Sequence, residues 1–305
     1  MSARLTDRTT LGILCMIAFA LIAPGMDAFA KATPAEVPVL QILLARFGVQ
    51  AAILLPLAVL AGHRLRPSSR DLALHALRAL LILGATGCFF TALRFMALAN
   101  AISIFFVEPF ILTLMGGLFL GEDIGPRRII ACLVGFGGAL LVIKPSFADL
   151  GAVALLPLGT AFMFALYMIM TRSMAARTHP IPLQAQTAAA ALLVIVPLLW
   201  AFDGSGTAGL DPVWPSRLAW ITLAGVGLVS TVTHLFLSFA LRFAPAATIA
   251  PLQYLEIVSA TVLGYFVFSD LPDRLTILGA AIIVASGLYV FARERALDRR
   301  PAPAP

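Results

Sequence analysis

Apolar residues follow one another in blocks long enough to cross roughly 30 Å of hydrocarbon as helices. Ten such spans are predicted, at 11–30, 38–61, 73–93, 99–120, 128–143, 151–170, 183–202, 217–241, 245–268 and 275–292, the fifth being short. The connectors are brief, such as Gly62-His63-Arg64-Leu65-Arg66-Pro67 and Gly121-Glu122-Asp123. The longest, Asp203 to Ser216, is too small for a domain. The pattern predicts an all-α integral membrane protein without a soluble module.

Composition agrees. Of 305 residues 61% are hydrophobic and 12% charged, against about 45–50% and 25% in soluble domains. The net charge of +6 is spread over short loops, which points to membrane topology and away from nucleic acid. With the N-terminus in the cytoplasm, fourteen Lys and Arg residues fall on the cytoplasmic side and five on the other, leaving Arg46 and Arg78 inside spans. That bias puts both termini in the cytoplasm. Ala28-Phe29-Ala30 is similar to a signal-peptidase site, but the apolar run before it is too long for a signal core. Cys15, Cys88 and Cys132 all lie in apolar spans and read as small packing residues.

Sliding the chain against itself by 148 residues aligns Ala92-Leu93-Arg94-Phe95 with Ala240-Leu241-Arg242-Phe243, Glu108 with Glu256, and Gly116 with Gly264. Eleven of the 53 positions from Thr91 to Ile143 are identical at this offset. Alanine and leucine matches are cheap in such a composition, whereas paired arginines and midspan glutamates are not. The chain therefore divides into a tail 1–10, a first repeat 11–145, a second repeat 150–292 and a basic, proline-rich tail 293–305. Five spans per copy make the second copy enter the membrane from the opposite side. The expected architecture is ten transmembrane helices in two inverted five-helix repeats, an arrangement typical of secondary transporters.

Ionisable groups within spans are expensive and normally face the bundle interior. Glu108 and Glu256 lie near the midplane from opposite halves and are the leading site candidates. Gln253, Glu256 and Ser259 recur at three-residue spacing, with Thr248 loosely aligned, and Asn100 lies near the face of Glu108. Pro109 and Pro251 should each free a carbonyl, at Phe105 and Ala247, and bend their helices. Asp27 either faces the same cavity or pairs with Lys31 one turn away. Arg46 and Arg78 read first as snorkelling to a surface, with Arg46 alternatively neutralising a buried carboxylate. His234, beside Thr231 and Thr233, could relay protons or simply bond a neighbouring helix. Tyr167 and Tyr254 could face a ligand, while Trp200, Trp214 and Trp220 read as packing or interface belt.

The chain contains no GxxxxGK[ST] loop and no HExxH. His63, His75 and His179 have no metal-ligand spacing. No cofactor, metal, nucleic acid or ATPase subunit is expected, and no catalytic set can be assembled, so an intramembrane enzyme or a channel is disfavoured.

Arg94-Phe95-Met96-Ala97-Leu98-Ala99-Asn100-Ala101, Glu108-Pro109-Phe110, Leu120-Gly121-Glu122 and Gly135-Phe136-Gly137-Gly138 resemble the first EamA-type half of the drug/metabolite transporter superfamily. Ala244-Pro245-Ala246, Glu256, Gly264-Tyr265 and Gly279 through Ser286-Gly287 resemble the second, except that Asp270 follows Ser269 where the first half has Gly121-Glu122. The resemblance implies a ten-helix carrier of a bacterial inner membrane with a central cavity. It also implies a small polar metabolite as solute: S-adenosylmethionine, riboflavin, an amino acid or a related compound, with drug or amino-acid export as the alternative. Together the residues and the resemblance predict a secondary active transporter working by alternating access, with a proton as one candidate coupling ion. Its partners are the solute and the lipid bilayer.

Overall fold

The computed structural model describes residues 2–63, 65, 69–112, 115, 126–175, 177–207, 209–244 and 249–298. Gly121-Glu122-Asp123, Thr248, Ala247 and the later part of the fourth predicted span lie outside the described residues, as does the Cys132 side chain.

The elements are α1 (Ser2–Ala32), α2 (Val39–Leu60), α3 (Ser69–Leu93), α4 (Leu98–Phe105), α5 (Pro126–Leu150), α6 (Leu156–Ala175), α7 (Pro180–Phe202), α8 (Arg217–Phe243), α9 (Leu255–Phe268) and α10 (Arg274–Asp298). Short 3₁₀ turns, Gly151–Leu155 and Ala250–Tyr254, lead into α6 and α9. Every apolar block of the sequence contributes helix. Six stretches have the length and composition to cross a membrane: Thr9–Ala32, Val39–Leu60, Asp71–Leu93, Phe147–Ala175, Pro180–Phe202 and Arg217–Phe243. Leu98–Leu112, Ile129–Val142, Leu252–Phe268 and Arg274–Tyr289 are shorter apolar helices. The result is an all-α, multi-pass membrane fold.

Helix is the form that satisfies backbone groups without water, so apolar length fixes where the helices run and local chemistry fixes where they stop. Ser216 caps α8 by accepting from the Ala219 amide at 3.3 Å, and Asp273 accepts from the Thr276 amide at 2.7 Å at the start of α10. Gly151, at φ 60°, ends α5 and starts the turn into α6. The fourth span is not one continuous helix. It breaks after Phe105 and resumes at 108, because Pro109 has no amide to offer the ladder.

Large apolar side chains such as Leu60, Leu193, Trp200, Trp214 and Phe266 point outwards, as a lipid solvent requires. Trp214 meets Trp220 edge-on at 6.2 Å at the start of α8, suited to a membrane–water boundary. Inside, α1 packs on α8 and α3 on α6, while α2 lies against α7, α4 against α9 and α5 against α10. This set of partners is unchanged when α1–α5 are exchanged for α6–α10 in order. The two halves of the chain therefore interleave around one shared core. At the α5–α10 crossing, a Cβ on Gly138 would meet the Gly279 carbonyl at 2.9 Å, and one on Gly279 would meet the Gly138 carbonyl at 2.5 Å. Only glycine permits that approach.

Candidate functional site

A cavity of about 550 Å³ of empty space, including its mouth, lies between α1, α2, α3, α4, α6, α8 and α9. Phe19, Ile82, Phe89, Phe90, Phe105 and Phe164 make much of its wall, and its polar groups are Asp27, Arg46, Thr86, Thr160, His234 and Glu256. A few polar side chains converging on an apolar, aromatic chamber can orient a polar head group and still admit a larger apolar body.

Arg46 is the cavity's cation. It is 1% exposed and does not snorkel. Its Nη1 donates to Thr86 Oγ1 at 2.5 Å and its Nη2 meets His234 Nε2 at 2.8 Å, so the guanidinium finds partners inward, on α3 and α8. Arg78, fully buried, corrects the snorkelling expectation in the same way. Its Nε donates to Thr171 Oγ1 at 3.0 Å, Nη1 to the Leu183 carbonyl at 3.2 Å and to Thr187 Oγ1, and Nη2 to the Tyr167 hydroxyl at 2.8 Å. Four hydrogen bonds within the protein remove the incentive to reach water.

Tyr167 belongs to this second cluster and is not among the residues lining the cavity. Its hydroxyl also accepts from Gln184 Nε2 at 3.1 Å, and Gln184 reaches Ser238 Oγ at 2.7 Å and the His234 carbonyl at 3.2 Å. Gln50 donates to Gln184 Oε1 at 3.1 Å. A polar network spanning α2, α3, α6, α7 and α8 thus adjoins the chamber. Gln50, Gln184, Thr171 and Thr187 were not singled out from the sequence. The signal was present as helical spacing of polar residues inside apolar runs: Arg46 with Gln50, Tyr167 with Thr171, and Gln184 with Thr187.

Glu108 and Glu256 occupy comparable local positions. Glu108 opens the helical turn that resumes after the break at 106–107, and Glu256 lies in the first turn of α9 after its 3₁₀ entry. Both are buried, but only Glu256 lines the chamber; Glu108 lies outside the lining, with Oε1 lacking a hydrogen-bond partner. Phe106 packs on Tyr254 at 5.4 Å, joining the two breaks. Gln253 is buried beside Tyr254.

The remaining candidates divide. Asp27 and His234 line the chamber. Asp27 does not pair with Lys31: the lysine reaches Asp270 Oδ2 at 2.5 Å, across the two halves, leaving Asp27 Oδ1 without a partner. Asn100 Oδ1 accepts from Thr276 Oγ1 at 3.3 Å, tying α4 to α10, and Ser259 donates to the Leu21 carbonyl at 2.8 Å, tying α9 to α1. Both brace helices and neither lines the cavity. Among the described residues, no three His, Cys, Asp or Glu side chains gather into a metal site.

A multi-pass helical bundle thus encloses a chamber with buried charges. Its sequence matches the EamA-like transporter family twice, over residues 10–144 and 151–292, and the chain belongs to that family. It is thus a secondary transporter of a small polar metabolite, within the drug/metabolite transporter superfamily, and not an enzyme. The chain is 30% identical over 283 residues to the pseudopaline exporter CntI of Pseudomonas aeruginosa, covering 90% of this chain and 94% of that one. It is 26% identical to a riboflavin transporter of Vibrio cholerae, covering 86% of each. It is 24% identical to an S-adenosylmethionine uptake transporter of Rickettsia prowazekii, covering 94% of this chain and 95% of the relative. A protein of known crystal structure shares the fold with a TM-score of 0.63 at 17% identity, over 96% of this chain and 99% of that one.

Proposed function

We propose that the protein moves its solute by alternating access between two inverted five-helix repeats, 11–145 and 150–292, within ten membrane crossings. Both tails, 1–10 and 293–305, lie on the cytoplasmic side of a bacterial inner membrane, in keeping with the cationic bias of the loops. The observation that carries this reading is the matched setting of Glu108 and Glu256, related by the 148-residue offset and each buried just beyond a helix break. Interrupted helices whose ends face a buried site are the usual construction of secondary carriers. The exchange-invariant pattern of helix partners supports the repeat.

Glu256 with Asp27 and His234 forms the polar head of the solute site. Glu256 holds a cationic or zwitterionic part of the solute from the chamber wall, or it and Glu108, buried outside the lining, carry a coupled proton. Gln253 and Tyr167 back the site, while Asn100 and Ser259 hold the surrounding helices in register. Pseudopaline, riboflavin and S-adenosylmethionine, the solutes named for the relatives, are small and polar, and the solute here is of that kind.

The test begins with a metabolite panel scored by thermal stabilisation of the purified protein, since a ligand that binds only the folded state raises the unfolding temperature. Flux of the stabilising metabolite is then measured in proteoliposomes. Glu108→Gln and Glu256→Gln should each abolish it while leaving unfolding cooperative. Wild-type flux in both variants would remove the site assignment.

A further inference from the structure

We infer that the chamber is built for a solute carrying an anionic and a cationic group together, with Arg46 taking the anion and Asp27, assisted by Glu256, taking the cation. The inference rests on the transporter reading above and narrows its solute class. Arg46 is 1% and Asp27 6% exposed, and both line the same cavity. Opposite charges in so apolar a setting attract strongly, yet they form no ion pair: among the described residues the one salt bridge is Lys31–Asp270. Each keeps an unpartnered polar atom, Nε of Arg46 and Oδ1 of Asp27.

The reason they stay apart is visible in the partners of Arg46. Thr86 and His234 hold its two Nη atoms towards α3 and α8, while Asp27 sits on α1. Desolvating two opposite charges without pairing them with each other is costly, so the arrangement is poor as a stabilising device. A ligand bearing both charges completes both groups at once. A ligand with one charge completes one group and strands the other. With Glu256 also in the wall, acids outnumber the guanidinium, so a pure anion is the worst match of all. Phe19, Phe89 and Phe164 leave an apolar wall for the body of the molecule.

The experiment uses three probes of one shape: L-phenylalanine, phenethylamine, which lacks the carboxylate, and 3-phenylpropanoate, which lacks the ammonium. Their millimolar effect on the unfolding temperature is measured for the full-length protein in detergent. The wild type should be stabilised by the zwitterion, with apparent affinity about a hundredfold weaker for the amine and weaker still for the acid. Arg46→Gln should erase the preference over the amine, and Asp27→Asn the preference over the acid. Equal stabilisation by all three probes, or none by the zwitterion, overturns the inference. The wild-type ranking alone decides the matter if a variant fails to fold. Flux that depends on Glu108 and Glu256 without any charge ranking sinks this inference and spares the transporter site. Flux indifferent to both glutamates sinks that site assignment whatever the ranking.

Discussion

His234 Nε2 stands 2.8 Å from Arg46 Nη2, and its Nδ1 stands 3.1 Å from the Ser230 carbonyl. A guanidinium can only donate, so Nε2 accepts, and the ring proton sits on Nδ1 facing that carbonyl. The histidine thereby holds a buried cation in position, and it cannot relay a proton through Nε2 while this contact lasts. His234→Gln, which can supply an acceptor, should fold with near wild-type stability. His234→Ala, which leaves Nη2 unpaired, should lose about 1–3 kcal/mol. Thermal unfolding in detergent separates the two.

Arg78 holds α3 against α6 and α7 through Thr171, Thr187, Tyr167 and the Leu183 carbonyl. Lysine cannot reproduce a planar fork with that many fixed donors. Arg78→Lys should therefore lose roughly 2 kcal/mol or more of stability despite keeping the charge. Arg78→Met should lose at least as much. An Arg78→Lys protein with the parent's unfolding temperature would show the network to be incidental.

The α5–α10 crossing admits no side chain at Gly138 or Gly279, where the obstruction is the opposing backbone. Alanine at either position should destabilise by about 1–3 kcal/mol. Gly137→Ala, where a Cβ meets nothing within 4 Å, is the control and should be neutral or slightly stabilising.

His179, the residue before α7, accepts from the Ile181 amide and stacks on His63 at 4.6 Å. Burial, with His63 and Arg242 nearby, holds it below the ordinary imidazole value of 6.5. A histidine whose folded value is lowered contributes fully above that ordinary value and loses the contribution as pH falls through the lower one. Acidification from neutrality should therefore lower the unfolding temperature. His179→Asn, a cap that does not titrate, should flatten that dependence.

Apolar length and the cost of charge in lipid act along the chain itself, so the helical segments and the buried carboxylates could be read directly from the sequence. The direction a side chain takes could not. Arg46 and Arg78 lie close enough to helix ends to reach water, and nothing local says that Thr86, His234, Thr171 and Thr187 wait on the inner side. Lys31 looked suited to Asp27 four residues away, but it takes Asp270, 239 positions along. Glu108 and Glu256 are matched in sequence and in local backbone, yet only one of them faces the chamber. Pairwise spacing on one helix cannot decide which neighbour occupies the space opposite.

The Lys31–Asp270 contact joins the end of α1 to the end of α9, and its side chains are 16% and 33% exposed. Both side chains are only partly exposed, and the Lys31 ammonium also lies over the Phe268 ring, 4.8 Å from its centroid. Arg94 nearby grips the Thr33, Pro34 and Val37 carbonyls, all within the first half of the chain. That rim is thus cemented on one side and only clasped to the other.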